Sequence, residues 1–256
     1  MKTFGFLLLV VAAGPDAMPI VSSSAAQVVT MPAAVSWRRV PSLKSSANPE
    51  VRRNDTMPEG TFLVAKVYPG APPFKEAGPS SDLALVEPIV RLAAKGPPAP
   101  ATFDEWQRAA VVSTAGKPLS IVREGDASYV LVERKRLRTA GKLAYDGAAS
   151  QSPDGRFVAV MSSDILERGS GLFGAPPPTL IDQFFELLDA ASGKRLVLST
   201  QKKSRWAGDS HFSWIGSRHL AVLLERNPLV LDREADVDAP ARLLWIDLEQ
   251  AEAAAR

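Results

Sequence analysis

One short turn followed by a strand constrains the fold more than any other feature of this chain. Residues 152–160 read Ser-Pro-Asp-Gly and then Arg-Phe-Val-Ala-Val, a reverse turn that leads directly into an apolar run. Proline at the second turn position presets φ near about −65°, and glycine after aspartate lets the chain reverse. We therefore predict that Pro153, Asp154 and Gly155 are structural turn residues.

The same arrangement recurs further along the chain. Residues 216–222 repeat the turn and strand, with Arg218 in the place of Arg156. A second feature recurs at a similar interval, because the run that ends at Asp189 and turns through Gly193 has a later counterpart ending at Asp247. Residues 111–119 look like another strand–Gly-Lys–strand hairpin. Matching intervals of this kind indicate repeated supersecondary units.

Strand-length apolar runs fill the chain after residue 105 and are bounded by Gly, Pro, Asp or Ser. Several are apolar at every position, which is typical of strands buried on both faces. The chain has 21 Pro against 17 Gly, and no helix-length pattern alternates with the runs. We predict an all-β fold of antiparallel strands. An earlier predicted strand covers 61–68, and the runs after residue 105 are 109–113, 119–122, 129–133, 157–161, 184–188, 196–200, 220–224 and 243–248.

The segments "SPDGRFVAV" and "FFELLDAASGKRLVLST" resemble blade repeats of WD40-like, TolB-type β-propellers. The match is good over 151–200, degenerate over 212–249 and suggestive over 109–133. The resemblance implies propeller-like antiparallel blades. Because a closed propeller needs four or more blades, two or three imply a partial or irregular β-propeller, an open stack or one part of a multi-chain ring. The alternative is a β-sandwich.

The N-terminus is typical of an export signal. Lys2 precedes an apolar run at 4–13, much shorter than the roughly 20 residues of a membrane span. Small residues at 24–26 fit cleavage before Gln27, and 11–13 is a poorer site. We expect a periplasmic or secreted protein without an integral membrane span in the mature chain. The alternative is that the apolar run is the first strand of a cytoplasmic protein.

The predicted organisation has four parts. Residues 1–26 are a signal peptide, 27–60 an extended Pro/Ser-rich irregular arm, 61–250 the propeller-like β domain and 251–256 a tail. The one predicted helix covers 88–95, with Pro88 at its first position and Gly96 just after its end.

The composition excludes several kinds of chemistry. The chain has no Cys and two His, and its net charge is +2, so thiolate metal sites are excluded and no global field favours nucleic acid. Residues 169–174 satisfy G-x-G-x-x-G, but three prolines follow and cannot open the helix that a dinucleotide needs. We predict no catalytic, cofactor-binding or metal-binding residue. We interpret that segment as a projecting interaction loop formed by Gly169, Gly171, Leu172, Phe173 and Gly174.

The remaining candidates are assigned structural roles. Asp209, Ser210 and His211 are adjacent, whereas a catalytic triad converges from distant positions. His219 is predicted to pack at the start of a strand. The basic clusters at 133–138 and 202–206 are interpreted as solvated strand ends. The acidic residues Asp232, Glu234, Asp236 and Asp238 lack the order of a calcium loop and are interpreted as a solvated loop.

These observations predict an exported, non-catalytic binding or scaffolding module. Its partner would be a protein, or a second copy joined through exposed edge strands. The alternatives are an accessory propeller fragment of a hydrolase or lyase, and a cytoplasmic WD40-like repeat protein.

Overall fold

In the part of the chain that the computed structural model describes, antiparallel strands form four sheets, which we label A to D. The predicted all-β class with antiparallel sheets is confirmed. The structure describes residues 20–21, 25–31, 36–40, 49–69, 83–144, 147–168, 179–205, 211–224 and 242–256.

Sheet A contains the predicted turn at residues 152–155. Its strands are β1 (Ile20–Val21), β10 (Lys117–Pro118), β14 (Ala149–Gln151), β15 (Phe157–Arg168), β16 (Thr179–Asp189) and β17 (Arg195–Arg205). They are ordered β1-β17-β16-β15-β14-β10. The turn joins β14 to β15, with Gly155 at φ +77° and the backbone N–H of Phe157 donating to Ser152 Oγ at 3.0 Å. Gly193, at φ +72°, lies in the turn between β16 and β17.

Sheets B and C have a related topology, with three central strands where sheet A has four. The strands of sheet B are β2 (Ala26–Thr30), β9 (Ser113–Thr114), β18 (His211–Ile215), β19 (His219–Leu224) and β20 (Arg242–Asp247). Those of sheet C are β3 (Ser36–Val40), β4 (Glu50–Arg53), β5 (Phe62–Pro69), β6 (Leu83–Leu92), β7 (Ala99–Ala101) and β8 (Ala110–Val111). Their orders are β2-β20-β19-β18-β9 and β3-β6-β5-β4-β8, with β7 beside β6. The meanders β14–β17, β18–β20 and β4–β6 therefore form the centres of their three sheets.

Two segments cross the edges of these three sheets in succession. The N-terminal crossing segment, 20–40, adds β1 to sheet A, β2 to sheet B and β3 to sheet C. The second crossing segment, 110–118, adds β8 to sheet C, β9 to sheet B and β10 to sheet A. The same three sheets are thus joined at both edges by continuous chain.

The described residues also form two short helices. Helix α1 (Phe103–Arg108) begins with a capping box in which Thr102 and Glu105 exchange hydrogen bonds. Helix α2 (Leu248–Ala255) begins at Asp247, whose carboxylate accepts from the backbone N–H groups of Glu249 and Gln250. Among the described residues, no helix is long and apolar enough to cross a membrane.

The buried clusters give the order of the layers as α1, C, B, A and D. Sheet D consists of β11 (Ile121–Glu124), β12 (Ala127–Val132) and β13 (Lys135–Arg138). Separate apolar clusters lie between C and B, between B and A, and between A and D, while α1 covers the other face of C. The strand β19 shows the pattern, because Leu220 and Val222 face sheet A and Ala221 and Leu223 face sheet C. Its apolar run is buried on both faces, as predicted.

Several predictions need correction. The helix predicted at 88–95 is wrong, since β6 ends at Leu92 and pairs with β5 and β7. Its neighbouring side chains alternate between two clusters, with Ile89 towards α1 and Val90 towards sheet B. The hairpin predicted at 111–119 is also wrong, because β8, β9 and β10 pair with three different sheets.

The predicted chain ends also need correction. Residues 27–60 are no separate irregular arm, since they supply β3, β4 and nearly all of β2. Residues 251–256 are no separate tail, because α2 extends to Ala255 and Ala251 is buried. Both segments depend on partners far away in sequence, which local patterns do not reveal.

Candidate functional site

A cleft of about 970 Å³ opens between sheets B and C at the end where the β4–β5 and β18–β19 turns lie. Its size is at the upper end of typical ligand sites, about 300–1,000 Å³. Sheet C contributes the β4–β5 turn and the segment after β6, and sheet B contributes the β18–β19 turn and the end of β20. The residues that line the cleft include Ala25, Gln27, Arg53, Glu59, Phe62, Arg218, His219, Trp245, Asp247 and Gln250.

The neighbouring interface between sheets A and B is closed by α2. Leu248 and Ala251 are fully buried there against residues of both sheets. Arg156 in the turn of sheet A also pairs with Glu252 of α2. Within the described residues no helix covers the corresponding end of the B–C interface, and this is where the cleft opens.

Three rings form one wall of the cleft. The imidazole of His219 stacks on Trp245 with ring centroids 5.1 Å apart, and Phe62 approaches Trp245 at 5.1 Å and His219 at 5.6 Å. Phe62 comes from sheet C and the other two rings from sheet B, so the cluster joins the two layers. Aromatic pairs at such separations add about 0.5–1.5 kcal/mol beyond the area that they bury.

Burial lowers the pKa of His219, although the nearby Asp247 carboxylate acts in the opposite direction. The His219 Nε2 atom lies 3.9 Å from Asp247 Oδ2, beyond hydrogen-bonding distance. The imidazole is therefore neutral near pH 7 and provides one donor and one acceptor for a ligand. Asp247 has a structural role as well, since it caps α2.

The rim of the cleft carries groups of both charges. Arg53 and Glu59 are exposed on the β4–β5 side, and Arg218 on the sheet B side is 61% exposed and 3.9 Å from the Asp247 carboxylate. The amides of Gln27 and Gln250 add neutral donors and acceptors. This mixture suits a ligand with polar groups of both kinds and an apolar part that reaches the rings.

Among the described residues, the strand β2 forms a free sheet edge beside the cleft. It pairs with β20 on one side and ends the order of sheet B on the other. Ala25, just before the start of β2, and Gln27, the second residue of β2, line the cleft. Gln27 is paired with Trp245 of β20, so their side chains share the face of sheet B that looks into the cleft.

Four residues of this site, Gln27, Arg218, His219 and Asp247, are named from the sequence, and His219 is predicted to pack there. The structure bears out the packing and adds the aromatic partners and the cleft. Phe62 and Trp245 lie in the predicted runs 61–68 and 243–248, but nothing local predicts their contact, because the meeting of β5 with β19 and β20 depends on tertiary structure. The turn residues Pro153, Asp154, Gly155 and Gly193 lie in sheet A, away from the cleft.

Other predicted segments lie outside the described residues. These are the interaction loop (Gly169, Gly171, Leu172, Phe173 and Gly174), Asp209 and Ser210, the acidic residues Asp232, Glu234, Asp236 and Asp238, and most of the predicted signal peptide. The basic cluster at 133–138 is described and forms the turn before β13 and the strand itself.

Comparison with known proteins gives no relative, since no protein-family model, curated protein or solved structure matches the chain. In the part of the chain that the structure describes, no group of three or more His, Asp or Glu side chains is placed to hold a metal ion. The site is therefore interpreted from its own geometry.

Proposed function

We propose that this protein is a non-catalytic protein-binding module that binds a peptide segment of its partner by strand addition to β2. The observation that supports this most is that β2, within the described part of the chain, is an edge strand directly beside an open cleft with an aromatic wall. In strand addition, main-chain hydrogen bonds supply affinity and pockets for alternate side chains supply specificity.

The alternation of hydrogen bonds between β2 and β20 shows which backbone groups of β2 can bind an added strand. The backbone N–H of Asp247 donates to the carbonyl of Ala25, so Ala25 and Asp247 form a hydrogen-bonded pair. Such pairs alternate with non-bonded pairs along antiparallel strands. The N–H and C=O groups of Ala26, Val28 and Thr30 therefore point away from β20, towards the free edge.

The side chains of an added strand would alternate in the same way. Those on the face shared by Gln27 and Trp245 would enter the cleft, where an apolar side chain contacts the ring cluster. The rim charges of Arg53, Glu59 and Arg218 would then pair with flanking charged residues of the peptide. The occupant is therefore an extended segment with one apolar residue between charged ones.

The sequence predicts partner binding through exposed edge strands, and the proposal assigns this binding to one of them, β2. The edges of sheets A, B and C are formed largely by two-residue strands, which offer little to a partner. Among the described edge strands of these sheets, β2 and β3 are the longest, with five residues each. Propeller-like blades and export from the cytoplasm remain part of the proposal, supported by the antiparallel meanders at the centres of sheets A, B and C and by the apolar N-terminal run.

A displayed library of random peptides, selected on the full-length protein, tests the proposal. The best binder is measured by calorimetry against wild type, Val28→Pro and Val28→Ala. Proline removes the outward N–H of Val28 but no bond to β20, and Val28 is 39% exposed, so both variants should fold. We expect Val28→Pro to weaken binding at least about tenfold and Val28→Ala to leave it nearly unchanged.

A second measurement does not depend on the folding of a variant. Backbone N-methylation of the peptide at alternate positions should abolish binding in one phase and spare it in the other, because only alternate N–H groups face β2. Equal binding by wild type and a folded Val28→Pro, or equal binding in both methylation phases, would disprove strand addition at β2.

A further inference from the structure

The outer face of sheet D carries apolar side chains at the end of the stack. Strand pairing places Ile121, Val130 and Leu137 on one face, and these residues pack against sheet A. The neighbouring positions therefore lie on the other face. Val122, Tyr129 and Leu131 are half-buried there and belong to none of the core clusters.

The opposite end of the stack shows how such a face is normally covered. The outer face of sheet C packs against α1, where Trp106 is 1% exposed. Among the described residues, no helix or strand covers the outer face of sheet D in this way. A partly apolar sheet face that is left open is typical of an interaction surface.

Arginines on β13 give this face its charge. Arg136 and Arg138 are paired with Leu131 and Tyr129, so they share the outer face. The Arg136 guanidinium lies 4.8 Å from the Tyr129 ring centre and pairs with Glu124. Arg138 makes no ion pair within the described residues, whereas Arg52, Arg91, Arg156 and Arg195 each pair with a carboxylate. The face therefore has net positive charge around an apolar centre.

We infer that the outer face of sheet D binds an acidic, partly apolar segment of a partner protein. The apolar side chains of that segment contact Val122, Tyr129 and Leu131, and its carboxylates pair with Arg136 and Arg138. Planar guanidinium groups bind carboxylates in two parallel hydrogen bonds, which gives this contact direction as well as energy. The surface is separate from the cleft, because sheet A and sheet B lie between them.

Two synthetic peptides test the inference on the isotope-labelled full chain by nuclear magnetic resonance. One alternates Glu with Leu, and the matched peptide has Lys in place of Glu. We expect the acidic peptide to shift the amide signals of Val122, Tyr129 and Leu131, with an affinity at least about tenfold higher than that of the basic peptide. Added salt should weaken this binding.

Charge reversal provides the matched variant. Arg136→Glu combined with Arg138→Glu should invert the preference to the basic peptide, since both side chains are exposed and their replacement leaves the core intact. Val28→Pro should leave it unchanged, so failure at this surface is distinguishable from failure at the cleft.

Three results would overturn the inference. The first is equal binding of both peptides, or shifts outside sheet D. The second is stronger perturbation of the same amides by a single-stranded RNA oligomer, which would assign the face to nucleic acid. The third is a dimer in sedimentation that Tyr129→Arg dissociates, which would assign the face to a second copy of the chain.

Discussion

Gly116 shows how one residue fixes the second crossing segment against two sheets. It has φ +71°, and a Cβ atom there would lie 2.4 Å from Nε1 of Trp214 and 2.8 Å from the carbonyl oxygen of Gln151. The Trp214 indole is itself held in place, since its N–H donates to Ser150 Oγ at 2.9 Å. Gly116 is therefore required both for its backbone conformation and for the space that it leaves.

Gly116→Ala should destabilise the fold by about 2–5 kcal/mol, because it combines a left-handed backbone penalty with overpacking against Trp214. Gly125→Ala is the matched control. Gly125 has φ +55° with open space around its Cβ position, so it should cost about 1–2 kcal/mol. Urea unfolding of both variants measures the difference. Equal destabilisation of the two variants would show that Trp214 moves away from the added methyl group without a cost in stability.

At the scale of elements, the N-terminal crossing segment is part of the fold from Ile20 onwards. Val21 pairs with Leu198 of β17, and Ala25 is 6% exposed and accepts a hydrogen bond from the backbone of Asp247. Cleavage before Gln27 would remove these contacts.

A chain that begins at Gln27 should be less stable than one that begins at Ile20, by about 2 kcal/mol, since it loses the Ala25 hydrogen bond, the buried Ala25 methyl group and the β1 pairing. Thermal unfolding of the two purified chains measures this difference. Mass spectrometry of the protein from its native host gives the natural N-terminus. Equal stability of the two chains would show that residues 20–26 do not contribute to the fold.

Elements were predictable where their cause is local. The turn at Pro153 to Gly155 follows from the preferences of those residues, and β19 from its unbroken apolar run. The segment at 88–95 was misread because Pro88 and Gly96 resemble helix ends, whereas pairing with β5 decides its conformation. The site was less predictable still. Its rings at Phe62, His219 and Trp245 are far apart in sequence and meet only when sheets B and C pack together.

At the scale of the whole molecule, the sheets differ in how many of their faces are covered. Sheet B is central, with apolar clusters on both faces, and Leu220 and Val222 of β19 are 0% exposed. Sheet D is terminal and covered on its inner face alone among the described residues. Both crossing segments pair with sheets A, B and C and add no strand to sheet D.

This asymmetry predicts two levels of stability in one chain. Native-state hydrogen exchange should show that the amides of β19 exchange only by global unfolding, because opening β19 disrupts both neighbouring clusters. The amides of β12 should exchange by local opening of sheet D, at a free energy lower by at least about 1.4 kcal/mol, which is a tenfold difference in exchange. Low concentrations of urea should reduce the protection of β19 more steeply than that of β12, since global unfolding exposes more surface. Identical protection and identical urea dependence would instead show that sheet D unfolds together with the rest of the stack.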